Sequence, residues 1–150
     1  MRVFNGPDEL ADAVGEHLGY SDWQAVTQER ITGFADATGD HQWIHVDPDR
    51  AANGPFKGTI AHGYLTLSMI PALCAQIYRV EGVSMGINYG SNKVRYPQPV
   101  PVGARVRAGA ELVSLSDVPQ GKQLVMRVTI ELENSAKPAC VAETVTLLIP

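Results

Sequence analysis

The residues that could do acid–base chemistry in this chain are concentrated between Gly39 and Pro48. Asp40 and His45 lie five residues apart there, so one loop could turn both side chains toward the same point. A carboxylate and an imidazole that share one water form an acid/base pair, because one takes a proton while the other delivers one. The pKa of histidine, about 6.5, leaves both of its forms accessible near neutrality. Gln42 could orient the water or the carboxylate, but its amide cannot move a proton.

The neighbouring polar residues have structural explanations. Asp47 followed by Pro48 predicts the N-cap and first position of a helix that runs through Ala51 and Ala52. We interpret His41 as a partly exposed loop residue. Asp40 could also do no more than cap its loop, so the Asp40/His45 spacing alone does not establish catalysis.

A metal site is the competing interpretation of the histidines. The potential ligands are His41, His45, Asp47 and His62. However, no HxxxH motif lies on a predicted helix and no facial-triad spacing is present, so we expect no metal.

Ala61-His62-Gly63 forms a second polar island at the start of a long apolar run. The first N–H groups of a helix have no helical partner, and the positive end of the helix dipole adds to them. The Gly63 N–H could therefore hold a developing oxyanion, a donor typically worth about 3 kcal/mol in a transition state. Alternatively, Gly63 only eases a tight junction. His62 is either a hydrogen-bonded structural residue or a substrate contact.

Helices must position these residues, and the sequence predicts three besides the short helix that begins after Asp47. The first runs from Pro7 to Gly19 and is followed by a short strand at residues 21–26. The second is capped by Thr27 and ends at Gly39. The third, at about residues 63–78, is apolar on almost every side, which predicts a fully buried helix with a kink at Pro71.

Beyond Gly82 the chain is rich in β-branched residues and in Gly and Pro turns. Alternation predicts antiparallel strands in a meander, at residues 83–89, 94–96, 104–115, 123–133 and 139–149. We therefore expect an α+β fold in one domain, residues 1–150, with a long antiparallel sheet wrapped around the central buried helix.

Composition limits the partners. The net charge of −4 lacks the basic footprint of a nucleic-acid binder, so we expect no nucleic acid. No apolar run reaches the roughly 18 residues of a membrane span, and no signal peptide is evident. Cys74 and Cys140 lack CxxC spacing and are interpreted as buried, reduced core residues, which favours a cytoplasmic protein.

The stretch from Gly39 to Ala51 resembles the signature of MaoC-like, R-specific enoyl-CoA hydratases, which reads approximately G-D-x-N-P-x-H-x-D-P-x-x-A. Ala61-His62-Gly63-Tyr64-Leu65 is similar to the helix entrance of that family. The segments from Asn88 to Tyr96 and from Pro97 to Gly103 resemble its strand and turn. Gln42-Trp43 departs from the pattern, because the family often has Asn-Pro there.

The resemblance implies a hot-dog fold, a homodimer and hydration of trans-2-enoyl-CoA to (R)-3-hydroxyacyl-CoA without a cofactor. Asp40 and His45 would activate the water, the Gly63 N–H would hold the thioester oxygen, and Gln42 could position the water. His62 could contact the acyl-CoA substrate, whose phosphates would be bound by exposed cations, with Lys57, Lys93 and Arg95 as candidates.

Two other functions fit the same architecture. An acyl-CoA thioesterase would use a carboxylate to direct water at the carbonyl carbon, which fits the Asp40/His45 pair less well. A non-catalytic acyl-CoA-binding protein would not need the pair at all.

Overall fold

The computed structural model describes residues 1–150, and its main feature is a six-stranded antiparallel sheet. The strands follow the order β2-β6-β7-β8-β5, and the short β3 also pairs with β6. Their bounds are β2 His17–Tyr20, β3 Gln24–Ala25, β5 Met85–Arg95, β6 Arg105–Val118, β7 Gly121–Leu132 and β8 Cys140–Ile149. The predicted meander is confirmed for β6, β7 and β8, but β5 pairs with β8 and not with β6, the next long strand along the chain.

The two faces of the sheet separate apolar from charged side chains, as alternation along a strand requires. One face carries the core, with Val106 opposite Leu132 and Ala108 opposite Ile130. The other face carries cross-strand ion pairs such as Arg107–Glu131, 2.7 Å. Register is therefore fixed, because a one-residue slip would bury the charges.

Three helices precede the sheet's long strands and frame the charged stretch: α2 Gln28–Thr38, α3 Trp43–Val46 and α4 Pro48–Ala52. The predicted caps are confirmed. The Thr27 hydroxyl accepts a hydrogen bond from the Arg30 N–H at 3.2 Å, and the Asp47 carboxylate accepts one from the Arg50 N–H at 3.1 Å. Gly39 ends α2 in the left-handed conformation, with φ of 85°, which glycine adopts without strain.

The central helix is confirmed but is shorter and less buried than predicted. It consists of α5, Gly63–Ser68, and α6, Ile70–Cys74, which meet at Met69. Pro71 explains the break, because it has no N–H to donate to the preceding turn. Leu65, Leu73 and other core residues face the sheet. The prediction of burial on every side is wrong, because one stripe is exposed: Tyr64, Ser68, Pro71, Ala72 and Ala75.

The N-terminal region differs most from expectation. The predicted helix from Pro7 to Gly19 is limited to α1, Glu9–Asp12, because Gly15 turns the chain with φ of 88° and His17–Tyr20 pairs with β6 instead. The predicted strand at 21–26 is reduced to β3. Arg2–Phe4 (β1) and Tyr78–Val80 (β4), which were not predicted, form a small parallel sheet.

The remaining predictions need smaller changes. The two strands predicted at 83–89 and 94–96 are one continuous strand, β5, which spans Met85–Arg95 and has two irregularities in its register with β8. Cys74 and Cys140 are buried and unpaired, and burial raises the pKa of their thiols to about 12 and about 11. None of the helices has the length and apolar character required to cross a membrane.

Candidate active site

Asp40 and His45 lie on either side of the start of α3, so the predicted loop between them contains a helical turn. Asp40 is exposed and follows Gly39 at the end of α2. Its carboxylate accepts a hydrogen bond from the Gln42 N–H at 3.3 Å, and α3 then turns His45 inward. The helical turn therefore brings the carboxylate and imidazole to one place, as the acid/base interpretation requires.

His45 is buried and oriented by its ring nitrogen Nδ1. Nδ1 lies 2.7 Å from the carbonyl oxygen of Ile60. Since a carbonyl only accepts, Nδ1 carries the proton, which leaves the lone pair of the neutral ring on Nε2. Burial lowers the pKa of His45, and the Ile60 carbonyl and Asp40 oppose this effect while His62 adds to it. The neutral ring is a base ready to accept a proton at Nε2.

His62 packs directly behind this pair. Its side chain is 3% exposed, and its ring stacks on that of His45 with centroids 3.8 Å apart. Its Nε2 lies 3.0 Å from the main-chain oxygen of Asp40, while its Nδ1 is buried without a partner. Phe34 covers another side of the ring, with centroids 4.9 Å apart. The structure thus joins His62 to both members of the pair.

Gly63 is the first residue of α5, and its N–H forms no hydrogen bond within the chain. The ring of Tyr96 lies over its α-carbon, so that a Cβ built on Gly63 would stand 3.3 Å from three ring atoms. The donor is therefore free, and the absence of a side chain leaves room for Tyr96. Burial raises the pKa of Tyr96, which keeps its phenol protonated.

Gln28 and Thr59 form a clamp that the sequence did not reveal. The Gln28 amide donates to the main-chain oxygen of His45 at 2.8 Å and accepts from the Thr59 hydroxyl at 2.5 Å. The Ile60 N–H also donates to the Ile44 oxygen at 3.0 Å. His45 is consequently fixed at its main chain by Gln28, which Thr59 holds, and at its ring by the adjacent Ile60. The partners are 31 residues apart, so no local pattern indicates the clamp.

The other predicted site residues lie at the surface. Lys57, Lys93 and Arg95 are exposed, and Lys57 adopts a positive φ of 62° in the turn after α4. Gln42 is also exposed, and only its main-chain N–H contacts Asp40. His41 is exposed, as predicted, and pairs with Asp36 at 2.8 Å.

Trp43 occupies the position where the resembled pattern has proline. Its ring is covered by the Arg50 guanidinium at 4.3 Å from the centroid. Gly54 lies so close to the ring that an added Cβ would stand 3.0 Å away. Trp43 therefore holds the turn after α4 against α3, which is a packing role.

Asp40, His45 and His62 place one potential metal-ligand atom each within 4.8 Å of one another. The two imidazole planes, however, are stacked at 22°. Because imidazole lone pairs lie in the ring plane, stacked rings present them side by side instead of converging on one ion. The arrangement suits proton transfer better than coordination.

A mostly apolar cavity of about 530 Å³ lies between the central helix and strands β5, β7 and β8. Leu67 and Ile70 line it, one and two turns beyond Gly63 along the helix. A second cavity, of about 500 Å³, lies beside Trp23 and the turn between β7 and β8, and polar residues such as Asn134, Ser135 and Lys137 form much of its lining. The first cavity is thus the one whose chemistry suits an acyl chain.

Comparison with known proteins shows which proteins this chain is similar to. The family model described as MaoC like domain matches residues 9–135. The chain is 58% identical to 3-hydroxyacyl-thioester dehydratase Z of Mycobacterium tuberculosis (strain ATCC 25618 / H37Rv) over 146 residues, which are 97% of each chain. It is 43% identical to Nodulation protein N of Rhizobium leguminosarum bv. viciae over 144 residues, 93% of this chain and 89% of the relative.

Among solved structures, the (R)-hydratase from A. caviae involved in PHA biosynthesis superposes with a TM-score of 0.74 at 26% identity. The match covers 90% of this chain and 96% of the hydratase. The sheet and central helix are therefore those of the hot-dog fold. The chain therefore belongs to the MaoC-like domain family, because the family model matches most of its length and relatives of nearly equal length align with it.

Proposed function

We propose that the chain adds water reversibly to trans-2-enoyl-CoA to give (R)-3-hydroxyacyl-CoA. The observation that carries the proposal is the free Nε2 of a neutral, oriented His45 near Asp40, with the unoccupied N–H of Gly63 at the adjoining helix start. The 58% identity to a dehydratase over 97% of both chains already makes the chain an enzyme of the hydratase or dehydratase type.

The proposed reaction uses the pair to move one proton. Asp40 and His45 take a proton from water while its oxygen bonds to C3 of the enoyl group. The electrons of the C2=C3 bond move toward the thioester carbonyl, whose oxygen becomes enolate-like and is held by the Gly63 N–H. The pair then returns the proton to C2, and the reverse sequence removes water. Adding water involves no net oxidation or reduction, so we propose no redox cofactor. We propose no metal, because the stacked rings of His45 and His62 do not converge on one ion.

We propose that the apolar cavity beside Leu67 and Ile70 receives the acyl chain. Lys57, Lys93 and Arg95 remain candidates for binding the coenzyme A phosphates, because they are exposed cations. Gln42 remains a candidate for water positioning. We do not retain His62 as a substrate contact, because its side chain is 3% exposed and covered by Phe34 and His45.

We also propose that two copies of the chain form the working unit. β5 is an edge strand with a free hydrogen-bonding side, and Tyr89 on it is 69% exposed. The central helix exposes the stripe that includes Tyr64 and Ala72. Edge strands and apolar patches of this kind require cover in solution. A cytoplasmic location stays a prediction.

Crotonyl-CoA tests the reaction. We expect the enoyl absorbance to fall without release of free thiol, and a chiral assay to identify the (R)-3-hydroxy product. Asp40→Asn and His45→Ala should each reduce the rate by at least about 10²-fold, the scale of acid–base assistance. His41→Asn, which alters an exposed neighbouring histidine, is the matched control and should leave the rate unchanged.

Each alternative predicts a different result in that assay. A thioesterase would release free thiol from crotonyl-CoA. A non-catalytic acyl-CoA-binding protein would bind the thioester without changing its absorbance. Hydration at the wild-type rate by both Asp40→Asn and His45→Ala would refute the site assignment.

A further inference from the structure

We propose that His62 is a positioning residue for Asp40, and this inference rests on the proposed function. The His62 side chain holds the main chain of Asp40 through Nε2, at 3.0 Å from the Asp40 oxygen. In doing so it sets where the Asp40 carboxylate stands relative to Nε2 of His45. His62 therefore acts through Asp40 and does not touch the substrate.

The tautomer of His62 follows from its partners. The Asp40 carbonyl can only accept a hydrogen bond, so Nε2 must carry a proton. No group of the chain bonds to Nδ1, which is buried, and an N–H at that position would lack an acceptor. The neutral ring with its proton on Nε2 is the form that this geometry accommodates.

The connection between α2 and α3 depends on this hydrogen bond. The carbonyl of Asp40 accepts only the bond from His62, and neither Asp40 nor His41 donates its main-chain N–H within the chain. The carboxylate itself is held only by the Gln42 N–H, at 3.3 Å. An exposed acid on so lightly bonded a segment needs an anchor, and His62 is the buried group that supplies one.

His62 has two separable contacts, and substitutions can remove one at a time. His62→Phe keeps a flat ring for stacking on His45 and removes the donor. His62→Gln keeps an N–H donor at the reach of Nε2 and removes the ring. Both variants fill most of the buried space, and their thermal unfolding measures the packing contribution separately from activity.

If His62 positions Asp40, the N–H donor of residue 62 should matter more for turnover than its aromatic ring. With crotonyl-CoA we expect kcat of His62→Phe to fall by at least about 10-fold with little change in KM, because small displacements of a catalytic group cost large factors in rate. His62→Gln should keep kcat within about threefold of the wild type. A purely structural role predicts the reverse order, with His62→Phe active and His62→Gln impaired, and that order would overturn the proposal.

A second measurement needs neither turnover nor a variant. Nitrogen-15 spectra of the wild-type histidines should show His62 as the tautomer protonated at Nε2, and an Nδ1-protonated ring would overturn the assignment. The failures are distinguishable. A wild type that does not hydrate enoyl thioesters refutes the proposed function, whereas an active wild type with an equally active His62→Phe refutes only the role of His62.

Discussion

The imidazole rings of His45 and His62 lie stacked, with centroids 3.8 Å apart and planes inclined by 22°. Each ring bonds to the segment that carries the other. His45, on α3, donates to Ile60 just before the central helix, and His62, at the start of that helix, donates to Asp40 just before α3. The two segments are thus braced in both directions, and the free Nε2 of His45 is held beside the Asp40 carboxylate.

Removing the Gly63 N–H should slow the reaction without unfolding the protein. Gly63→Pro deletes that donor at the first helical position, where proline is favoured, and His62 has the extended ψ of 140° that a residue before proline requires. We expect kcat to fall by about 10²-fold to 10³-fold, as for the loss of one oxyanion donor.

Gly63→Ala is the control for that change, because it adds a similar contact with Tyr96 and retains the N–H. Its kcat should stay much closer to the wild-type value. Equal losses in the two variants would assign the effect to crowding of Tyr96 and not to the donor.

The Gln28–Thr59 clamp should contribute to both rate and stability. Thr59→Val is nearly isosteric and removes the hydroxyl that donates to Gln28, while Gln28→Leu removes the amide. Each should lower the free energy of unfolding by about 1–3 kcal/mol, the cost of leaving a buried polar partner unsatisfied. Each should also lower kcat more than it raises KM.

A double-mutant cycle separates the clamp from two independent defects. Because Gln28 and Thr59 share one hydrogen bond, the losses in Gln28→Leu/Thr59→Val should be less than additive, by at least about 0.5 kcal/mol. Additive effects in chemical denaturation would show that the contact contributes nothing.

The pH dependence of activity should reflect the buried state of His45. Burial lowers the pKa of this ring, and only the neutral form can take a proton from water. The acidic decline of kcat/KM should therefore lie below the ordinary histidine value of about 6.5. NMR titration of the His45 ring should give the same midpoint, and a midpoint above 6.5 would contradict the prediction.

The same lowered pKa makes stability depend on pH. The unfolded chain binds a proton at His45 more readily than the folded chain, so the free energy of unfolding should fall as pH drops through about 6.5. His41 has the opposite sign, because Asp36 raises its pKa. Thermal unfolding across this pH range should be compared between His41→Asn and His41→Asn/His45→Gln. Both variants lack the His41 titration, so the difference between them isolates the contribution of His45.

Chain-length selectivity should change at Gly86, which lines the apolar cavity on β5. A side chain there would point toward Thr146 and Leu148, at 3.5 and 3.9 Å from its Cβ. Gly86→Val should reduce kcat/KM for long enoyl chains while preserving activity on crotonyl-CoA, and Gly86→Ala should have a smaller effect. A uniform loss across chain lengths would exclude this cavity as the acyl site.

Self-association should give a light-scattering mass near twice the 16.2 kDa of the chain. Ala72 is exposed on the central helix of a single chain, and glutamate is a good helix former. Ala72→Glu should therefore not destabilise a monomer, but it would bury a charge in the proposed dimer. Ala52→Glu, on exposed α4, is the control. An unchanged dimer in Ala72→Glu would exclude the central-helix stripe from the interface.

Local signals predicted much of this structure, and non-local contacts account for the errors. The caps at Thr27, Gly39 and Asp47 depend on adjacent residues and were found correctly. Local signals also predicted one helix from Pro7 to Gly19, but pairing of His17, Gly19 and Tyr20 with β6 converts the end of that segment to a strand.

In the candidate site, too, features set by neighbouring residues were predicted and contacts between distant residues were not. The types and spacing of Asp40 and His45 predicted that one loop turns both side chains toward the same point, and their ligand atoms do lie within 4.8 Å of each other. The hydrogen bond from His62 to Asp40 and the clamp between Gln28 and Thr59 could not be predicted, because the partners lie 22 and 31 residues apart. The exposed stripe on the central helix was also missed, since apolar composition does not distinguish a core face from one that a second chain would cover.

The groups assigned to proton transfer and their supports all come from residues 28–63, whereas the apolar cavity is lined by residues 67–148. In the proposed reaction, reactivity and chain selection are therefore encoded in separate parts of the sequence. Substitutions in the sheet should then change which acyl groups fit and leave the proton-transfer residues unchanged. This separation gives the scaffold a simple route to diversify its substrates, and it makes the strands the place to begin engineering them.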